Sequence, residues 1–342
     1  MFTSFGEIML RILPASSAER LDQANVYRIE PGGSESNVAI ALSNLGQKSM
    51  FVSRLPDNQL SNIVYEQLRK FSIDTSYIQT GGQRIGVYWT ERGVGPRNSQ
   101  VIYDRDNSAF STSNFNDYNW AQILKKTTWF HFSGISPAVS RTASKTLERV
   151  IDICTCPYSV DLNYRSLLWK WVNSDHAKIN DIMTNLCSKA SLIAGNESDY
   201  YNIFRMSSNK NNEVDNYTEL ASSLFKKFRN TKYISISNRK SLSATNNIWN
   251  GYLFVNGDTQ FCYKGIDYVL ENIQDRVGTG DSFASGVIYG LINKAEYSYK
   301  EIIDFAVTLS ALNHTTIGDA SRFSVRDVKS VLRSKGSGRI VR

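Results

Sequence analysis

The chain has 342 residues, 41% apolar and 21% charged, a balance that supports a sizeable buried core and excludes a disordered polymer. Its 39 Lys and Arg against 32 Asp and Glu give a net charge of +7, but the basic residues are dispersed, so anionic small molecules are expected as ligands rather than nucleic acid. No apolar run approaches the roughly 20 residues of a membrane span, and no basic lead or small-residue cleavage site marks the start as a secretory leader, so a cytoplasmic protein is expected.

Residues 2–13 read as an opening strand, with a further extended piece near 26–29. Small and apolar residues recur at helical spacing over 36–45, and a short strand is expected at 50–53. Residues 60–71 form an amphipathic helix with Leu60, Ile63, Val64, Leu68 and Phe71 on one side. Residues 85–90 and 100–103 read as strands joined by the turn Gly93-Val94-Gly95-Pro96, and with the piece near 26–29 they make a small separate β layer. Strand–helix alternation then resumes, with strands at 128–132, 159–162, 191–194 and 233–236 and helices at 140–153, 280–292 and 299–314. Lys125-Lys126 and Lys226-Lys227 fall in helix-like stretches as solvated faces, an Asn/Ser-rich loop is expected at 207–212, and the basic tail 333–342 is expected to fray. The whole argues for an α/β fold with an open, largely parallel sheet covered on both faces. The cysteines, Cys154, Cys156, Cys187 and Cys262, have no redox or zinc spacing and read as reduced thiols, and the three histidines are too scattered for a metal cluster.

The segment richest in chemistry is DRVGTGDSFASG at 275–286. Glycines flanking Thr279 let the backbone turn tightly, and the helix opening there points its unpaired first-turn amides and positive dipole end outward. Such donors suit oxygens that gain charge during phosphoryl transfer, and Asp281 at the mouth suits the proton of an attacking hydroxyl. An ordinary helix start with an acidic first turn fits the same letters. The segment lacks the Gly-Lys-Ser/Thr of a P-loop, and Gly286 falls too late for a dinucleotide fingerprint. A second glycine turn, Pro31-Gly32-Gly33-Ser34-Glu35-Ser36-Asn37, is either a sugar-binding turn with Asn37 on hydroxyls or an N-cap by Ser34 or Ser36.

Together these segments resemble the two signature regions of the PfkB, or ribokinase-like, carbohydrate kinases: G-G-x-x-x-N-x-A early and D-x-V-G-x-G-D-x-F-x-x-G late. GEIMLR at 6–11, LPDN at 55–58, RIGVY at 84–88, VIYDR at 101–105, DLNYR at 161–165 and HTTIGD at 314–319 are similar to kinases of 2-keto-3-deoxygluconate. The resemblance spans nearly the whole chain. It implies a single ribokinase-like domain over 1–342, Rossmann-like with helices on both faces of the sheet. A small β lid from about 11–34 and 84–110 would serve a homodimer. It implies transfer of a phosphoryl group from ATP, with Mg²⁺, to a sugar acid, making 2-keto-3-deoxygluconate 6-phosphate. Asp281 would be the base, and the amides of Gly278, Thr279 and Gly280 the anion hole.

By the same resemblance Gly33 and Asn37 hold sugar hydroxyls, while Tyr88, Tyr103 and Arg105 close over the substrate from the lid. Alternation along DLNYR puts Asp161, Asn163 and Arg165 on one side, and the resemblance gives Arg165, with its planar fork, the carboxylate. Asn196 and Asp199 match the family's N-x-x-E with Asp in place of Glu, organising Mg²⁺ through water with no direct protein ligand. Residues 237–241 stand where the family has a glycine-rich turn; Arg239 there meets phosphate or faces solvent. Asn313 lies beside the adenine. Lid packing for the tyrosines and a surface pair of Arg105 with Asp104 or Asp106 stay open. So do a neutral sugar (fructose, ribose or tagatose) as substrate and a non-catalytic, kinase-like binding protein. His131, Trp169 and Trp171 read as packing.

Overall fold

The structure is a computed structural model that describes residues 1–16, 19–207 and 212–334. The core of the loop expected at 207–212 and the tail beyond 334 therefore lie outside the described residues. The elements run β1 Phe2–Phe5, β2 Met9–Pro14, β3 Tyr27–Gly32, α1 Ser34–Asn44, β4 Ser49–Leu55, α2 Gln59–Lys70, β5 Ile78–Thr80, β6 Val87–Glu91 and β7 Gln100–Asp104. Then come α3 Trp120–Lys126, β8 Trp129–Ser133, α4 Ile135–Val139, α5 Arg141–Ile153, β9 Tyr158–Asp161, α6 His176–Cys187, β10 Leu192–Asn196, α7 Glu197–Phe204 and α8 Glu213–Lys227. The chain continues through β11 Tyr233–Ser241, β12 Asn247–Val255, β13 Cys262–Lys264, β14 Tyr268–Leu270, α9 Thr279–Ile292, α10 Tyr299–Asn313 and α11 Val325–Ser334.

Strands β1, β8 and β9 are buried at every position, as strands covered on both faces must be. They lie at the middle of a sheet ordered β13-β12-β11-β10-β9-β8-β1-β4-β5, with β14 also on β12. Pairing is parallel from β11 to β5 and antiparallel beyond β11. One face packs Leu147, Ile179, Met183 and Leu224 from α5, α6 and α8; the other packs Val38, Leu68, Val287 and Ile303 from α1, α2, α9 and α10. Small residues let α9 and α10 approach closely: a Cβ at Gly286 would stand 2.5 Å from the Cα of Ala306.

The expected β layer is a second sheet, ordered β3-β2-β6-β7. Its register aligns Ile29, Ile12, Trp89 and Ile102 in one row across all four strands. Alternation sends Arg11, Tyr88 and Tyr103, in the next row, to the opposite face.

Three features go beyond that reading. The opening strand is two, β1 in the large sheet and β2 in the small one. The chain crosses between them at Gly6, where a Cβ would collide with the Glu35 carboxyl at 2.1 Å. Residues 237–241 are not a turn but the end of β11, paired in register with β12. β12 itself gave no period-2 signal because nearly all of it is buried, with Asn250 and Gly251 inside; Gly251 makes room for the Phe283 ring, 2.5 Å from where its Cβ would be.

Candidate active site

The C-terminal ends of the parallel strands open into a cleft of about 1510 Å³, roofed by the small sheet. Ligands of open α/β sheets are generally found at this end. Asp281 sits within it at the start of α9, only 6% exposed. Its Oδ1 accepts a hydrogen bond from Ser34 Oγ at 2.7 Å and its Oδ2 one from Asn37 Nδ2 at 2.8 Å. Asn163 Nδ2 lies 3.1 Å from Ser34 Oγ and 3.5 Å from Asp281 Oδ1, a supporting contact. No cation among the described residues is ion-paired to Asp281. Burial pushes its pKa up to about 6, against the lowering effect of Asn37 and Ser34.

The turn before α9 has its own geometry. Gly278 lies in the left-handed region at φ +75°, and a Cβ there would be 1.8 Å from the Asp319 carbonyl oxygen, so no other residue fits. The first helical amide bond runs from Ser282 N to Gly278 O at 2.9 Å, so the preceding amides have no partner within the helix. A Cβ on Gly280 would meet only open space. An anion placed there meets free donors and the positive end of α9.

At the turn before α1 one of the two readings left open falls. Its N-cap is Gly33, with no side-chain cap, and neither Ser34 nor Ser36 fills that role. Ser34 serves Asp281, whereas Ser36 Oγ donates back to Gly33 O. Gly33 is required by close approach, since a Cβ would be 2.2 Å from the Glu7 carbonyl oxygen. Beside it Glu35 is buried and accepts from Ser133 N, Ser133 Oγ and Ser136 Oγ; burial raises its pKa.

On the small sheet, Tyr88 and Tyr103 stack at 6.0 Å, and the Tyr88 hydroxyl donates to Asp319. Arg105 makes neither of the surface pairs considered. It is buried against Glu7, donating from Nε at 2.8 Å and again from Nη2, while Arg84 takes Asp104.

DLNYR is not extended throughout: β9 stops at Asp161, and Asn163 turns through φ +37°. The turn nevertheless leaves Asp161, Asn163 and Arg165 on the cleft wall. Arg165 is exposed to the cleft, forms no ion pair among the described residues, and donates to its neighbour's carbonyl, Tyr164 O, at 3.0 Å. Asp161 has its carboxylate in the cleft without a hydrogen-bond partner among the described residues. Burial, then Asp281 and Asp199, hold its pKa well above the usual range.

Asn196 and Asp199 form a capping box on α7: Asp199 N donates to Asn196 Oδ1 and Asn196 N to Asp199 Oδ2, both at 3.0 Å. Asp199 Oδ1 accepts from Tyr164 N as well. Both residues line the cleft, as does Arg239 on β11. Asn313 does not; it is buried behind the site with its amide towards Asp319 O. Among the described residues no group of three or more His, Cys, Asp or Glu could cage a metal. The unpartnered Asp161 carboxylate fits a Mg²⁺ held mainly by phosphates and water, as that ion prefers.

His131 is fully buried with Nδ1 2.8 Å from Ser159 Oγ, and Trp171 Nε1 donates to Pro137 O. The four cysteines are free thiols, none in a disulfide.

Residues 1–324 match the family described as pfkB family carbohydrate kinase. The chain belongs to that family. The 2-dehydro-3-deoxygalactonokinase of Haloferax volcanii is 28% identical over 338 residues, covering 98% of this chain and 97% of that protein. The crystal structure of 2-dehydro-3-deoxygluconokinase from Thermotoga maritima superposes with a TM-score of 0.90 at 34% identity, covering 97% of this chain and 99% of that one. A putative ribokinase II from E. coli in complex with ATP and Mg²⁺ shares the fold alone, with a TM-score of 0.75 and 14% identity over 97% of this carbohydrate kinase and 99% of that chain. The largely parallel sheet with its flanking helices is thus the family's fold.

Proposed function

We propose that this carbohydrate kinase transfers the γ-phosphoryl group of ATP to the terminal hydroxyl of a 2-keto-3-deoxy sugar acid, giving 2-keto-3-deoxygluconate 6-phosphate and ADP. One observation carries the reading: a buried carboxylate, Asp281, held by two neutral donors and ion-paired to no cation among the described residues, stands beside open helix-start amides in the same cleft as Arg165, which also has no ion pair among the described residues. The two named relatives act on the gluconate and galactonate forms of this acid, which supports the substrate class.

In this mechanism Arg165 binds the carboxylate through its planar fork, and Gly33 and Asn37 border the sugar hydroxyls. Asp281 orients the attacking hydroxyl and takes its proton as the new O–P bond forms. The bond to the β-phosphate oxygen breaks with its electron pair leaving on ADP. The amides of Gly278, Thr279 and Gly280 meet the charge that develops on the transferring oxygens. A pKa near 6 keeps Asp281 ionised at neutral pH while making it a better base than an exposed aspartate. Mg²⁺, organised through water near Asn196, Asp199 and Asp161, would neutralise phosphate charge. Arg239 suits the nucleotide phosphates. The small sheet acts as a lid that excludes water, which would otherwise compete as acceptor.

The same sheet is the proposed dimer surface. Its outer row ends in Ile29 and Ile102, exposed by 50% and 54%, with Trp89 and Ile12 between them. Among the described residues no helix is long and apolar enough to cross a membrane, and four free thiols suit a reducing cytoplasm.

The test is ADP release with MgATP against 2-keto-3-deoxygluconate, 2-keto-3-deoxygalactonate, gluconate, fructose, ribose and tagatose. The keto-deoxy acids are expected to lead. Preference for a neutral sugar would overturn the substrate class, and no release with any acceptor would favour a binding protein.

A further inference from the structure

We propose that Arg11 is a positioning residue for phosphoryl transfer, a clamp that ties the small sheet to the turn presenting the anion hole. It rests on the kinase reading, and Arg11 is argued to act through Asp275, Asp319 and Thr90 rather than on the substrate itself.

Arg11 lies in β2 and is 1% exposed. Its Nη1 donates to Asp275 Oδ2 at 2.8 Å and to Asp319 Oδ1 at 2.6 Å, while Nε donates to Thr90 Oγ1 on β6 at 2.9 Å. Both carboxylates have second duties. Asp275 Oδ1 accepts from the amides of Arg276 at 2.8 Å and Val277 at 3.1 Å, setting the backbone that leads into Gly278. Asp319 accepts the Tyr88 hydroxyl, and its carbonyl occupies the space that a side chain at 278 would need. One guanidinium therefore fixes two strands of the roof and both supports of the glycine turn.

The charge balance makes the clamp necessary. Burial works against the Arg11 cation, but Asp319 and Asp275 outweigh it and raise its pKa, so it stays charged. Without it, two buried carboxylates face one another across an empty space. Repulsion then favours protonating one or moving the turn. A displacement of about 1 Å at a positioned donor costs on the order of 10²-fold in rate.

The experiment compares Arg11→Ala, Arg11→Lys and Thr90→Val with the wild type. Arg11→Ala is expected to lose about 10²-fold in kcat with KM for ATP changed less than about threefold, and to regain about tenfold in millimolar methylguanidinium. Arg11→Lys, which keeps the charge but not the fork, should fall between. Loss of kcat in Arg11→Ala that follows folded fraction alone, with no rescue, would overturn the proposal. Should Arg11→Ala not fold, Thr90→Val decides: a threefold to tenfold lower kcat at unchanged Tm supports the clamp, and an unchanged kcat overturns it. Hydrogen exchange at residues 276–280 needs no substrate and separates this proposal from the kinase reading. Exchange at least about tenfold faster there in Arg11→Lys, with the large sheet unchanged, supports the clamp even if the wild type phosphorylates nothing tested; unchanged exchange overturns it even if the wild type is fully active.

Discussion

Replacing Asp281 by Asn should make the protein more stable and nearly inactive. In the fold its pKa rises from 3.8 to about 6, chiefly through burial. A group whose folded pKa is raised keeps a proton that the unfolded chain has released. Stability therefore falls as pH rises between about 4 and 6 and is level above that. The shift of about 2 units corresponds to roughly 3 kcal/mol at pH 8, about half of which is already present at pH 5. Asparagine cannot ionise and escapes that cost. Its amide can face Asn37 once Asn37 turns its own amide over, because the Asn37 Oδ1 is buried without a partner. Urea melts at pH 5, 6, 7 and 8 should show Asp281→Asn gaining stability over the wild type, with the gain growing by about 1–1.5 kcal/mol between pH 5 and 8. ADP release under the same conditions should fall by about 10²–10⁴-fold with nucleotide binding retained. A variant less stable than the wild type at pH 8, or a gain that does not change with pH, would refute the electrostatic account. Near-normal turnover would remove Asp281 from the base role.

Three further outcomes follow from the same geometry. The acid limb of kcat/KM should lie near pH 6, and Ser34→Ala, which removes a donor that lowers the Asp281 pKa, should move that limb upward; a limb that stays in place would show that Ser34 does not hold the base. Arg165→Ala should cost about 10–10²-fold in kcat/KM with a keto acid and less than about threefold with any neutral sugar turned over, and equal losses would deny it the carboxylate. Ile102→Asp, at the most exposed end of the apolar row, should convert a dimer to monomer in light scattering, and an unchanged mass would move the interface elsewhere.

Legibility divided along sequence distance. The G-x-G-D turn at 278–281 and the Asn37 helix could be read because each local sequence carries its own geometry: a left-handed Gly278, then a helix start. Ser34 could not be assigned, since the same hydroxyl suits a cap or a carboxylate, and its partner is 247 residues away. The surface pair left open for Arg105 fails for the same reason: Asp104 and Asp106 are near in sequence, whereas its partner, Glu7, is 98 residues distant. The Arg11 clamp spans 264 and 308 residues and leaves no local trace. The small sheet was visible as interrupting strands, but only its register shows which face is the apolar row and which carries Arg11 and Tyr88.

The charges in the cleft explain why Asp281, the proposed base, is held by neutral donors. Glu35, Asp161, Asp199 and Asp281 are all buried and all pushed upward, burial first. A direct ion pair from Arg165 to Asp281 would relieve that load, but it would also lower the basicity of Asp281 and occupy the lone pairs a hydroxyl needs. The fold instead gives Asp281 a serine and an asparagine, which fix its direction while leaving its basicity high, and keeps Arg165 at a distance where it lowers the pKa only weakly. Arg11 shows the opposite choice: a full cation is placed between two carboxylates where rigidity, not proton affinity, is required. Neutral contacts around the base and ionic contacts around its support are what a site needs to be both reactive and fixed.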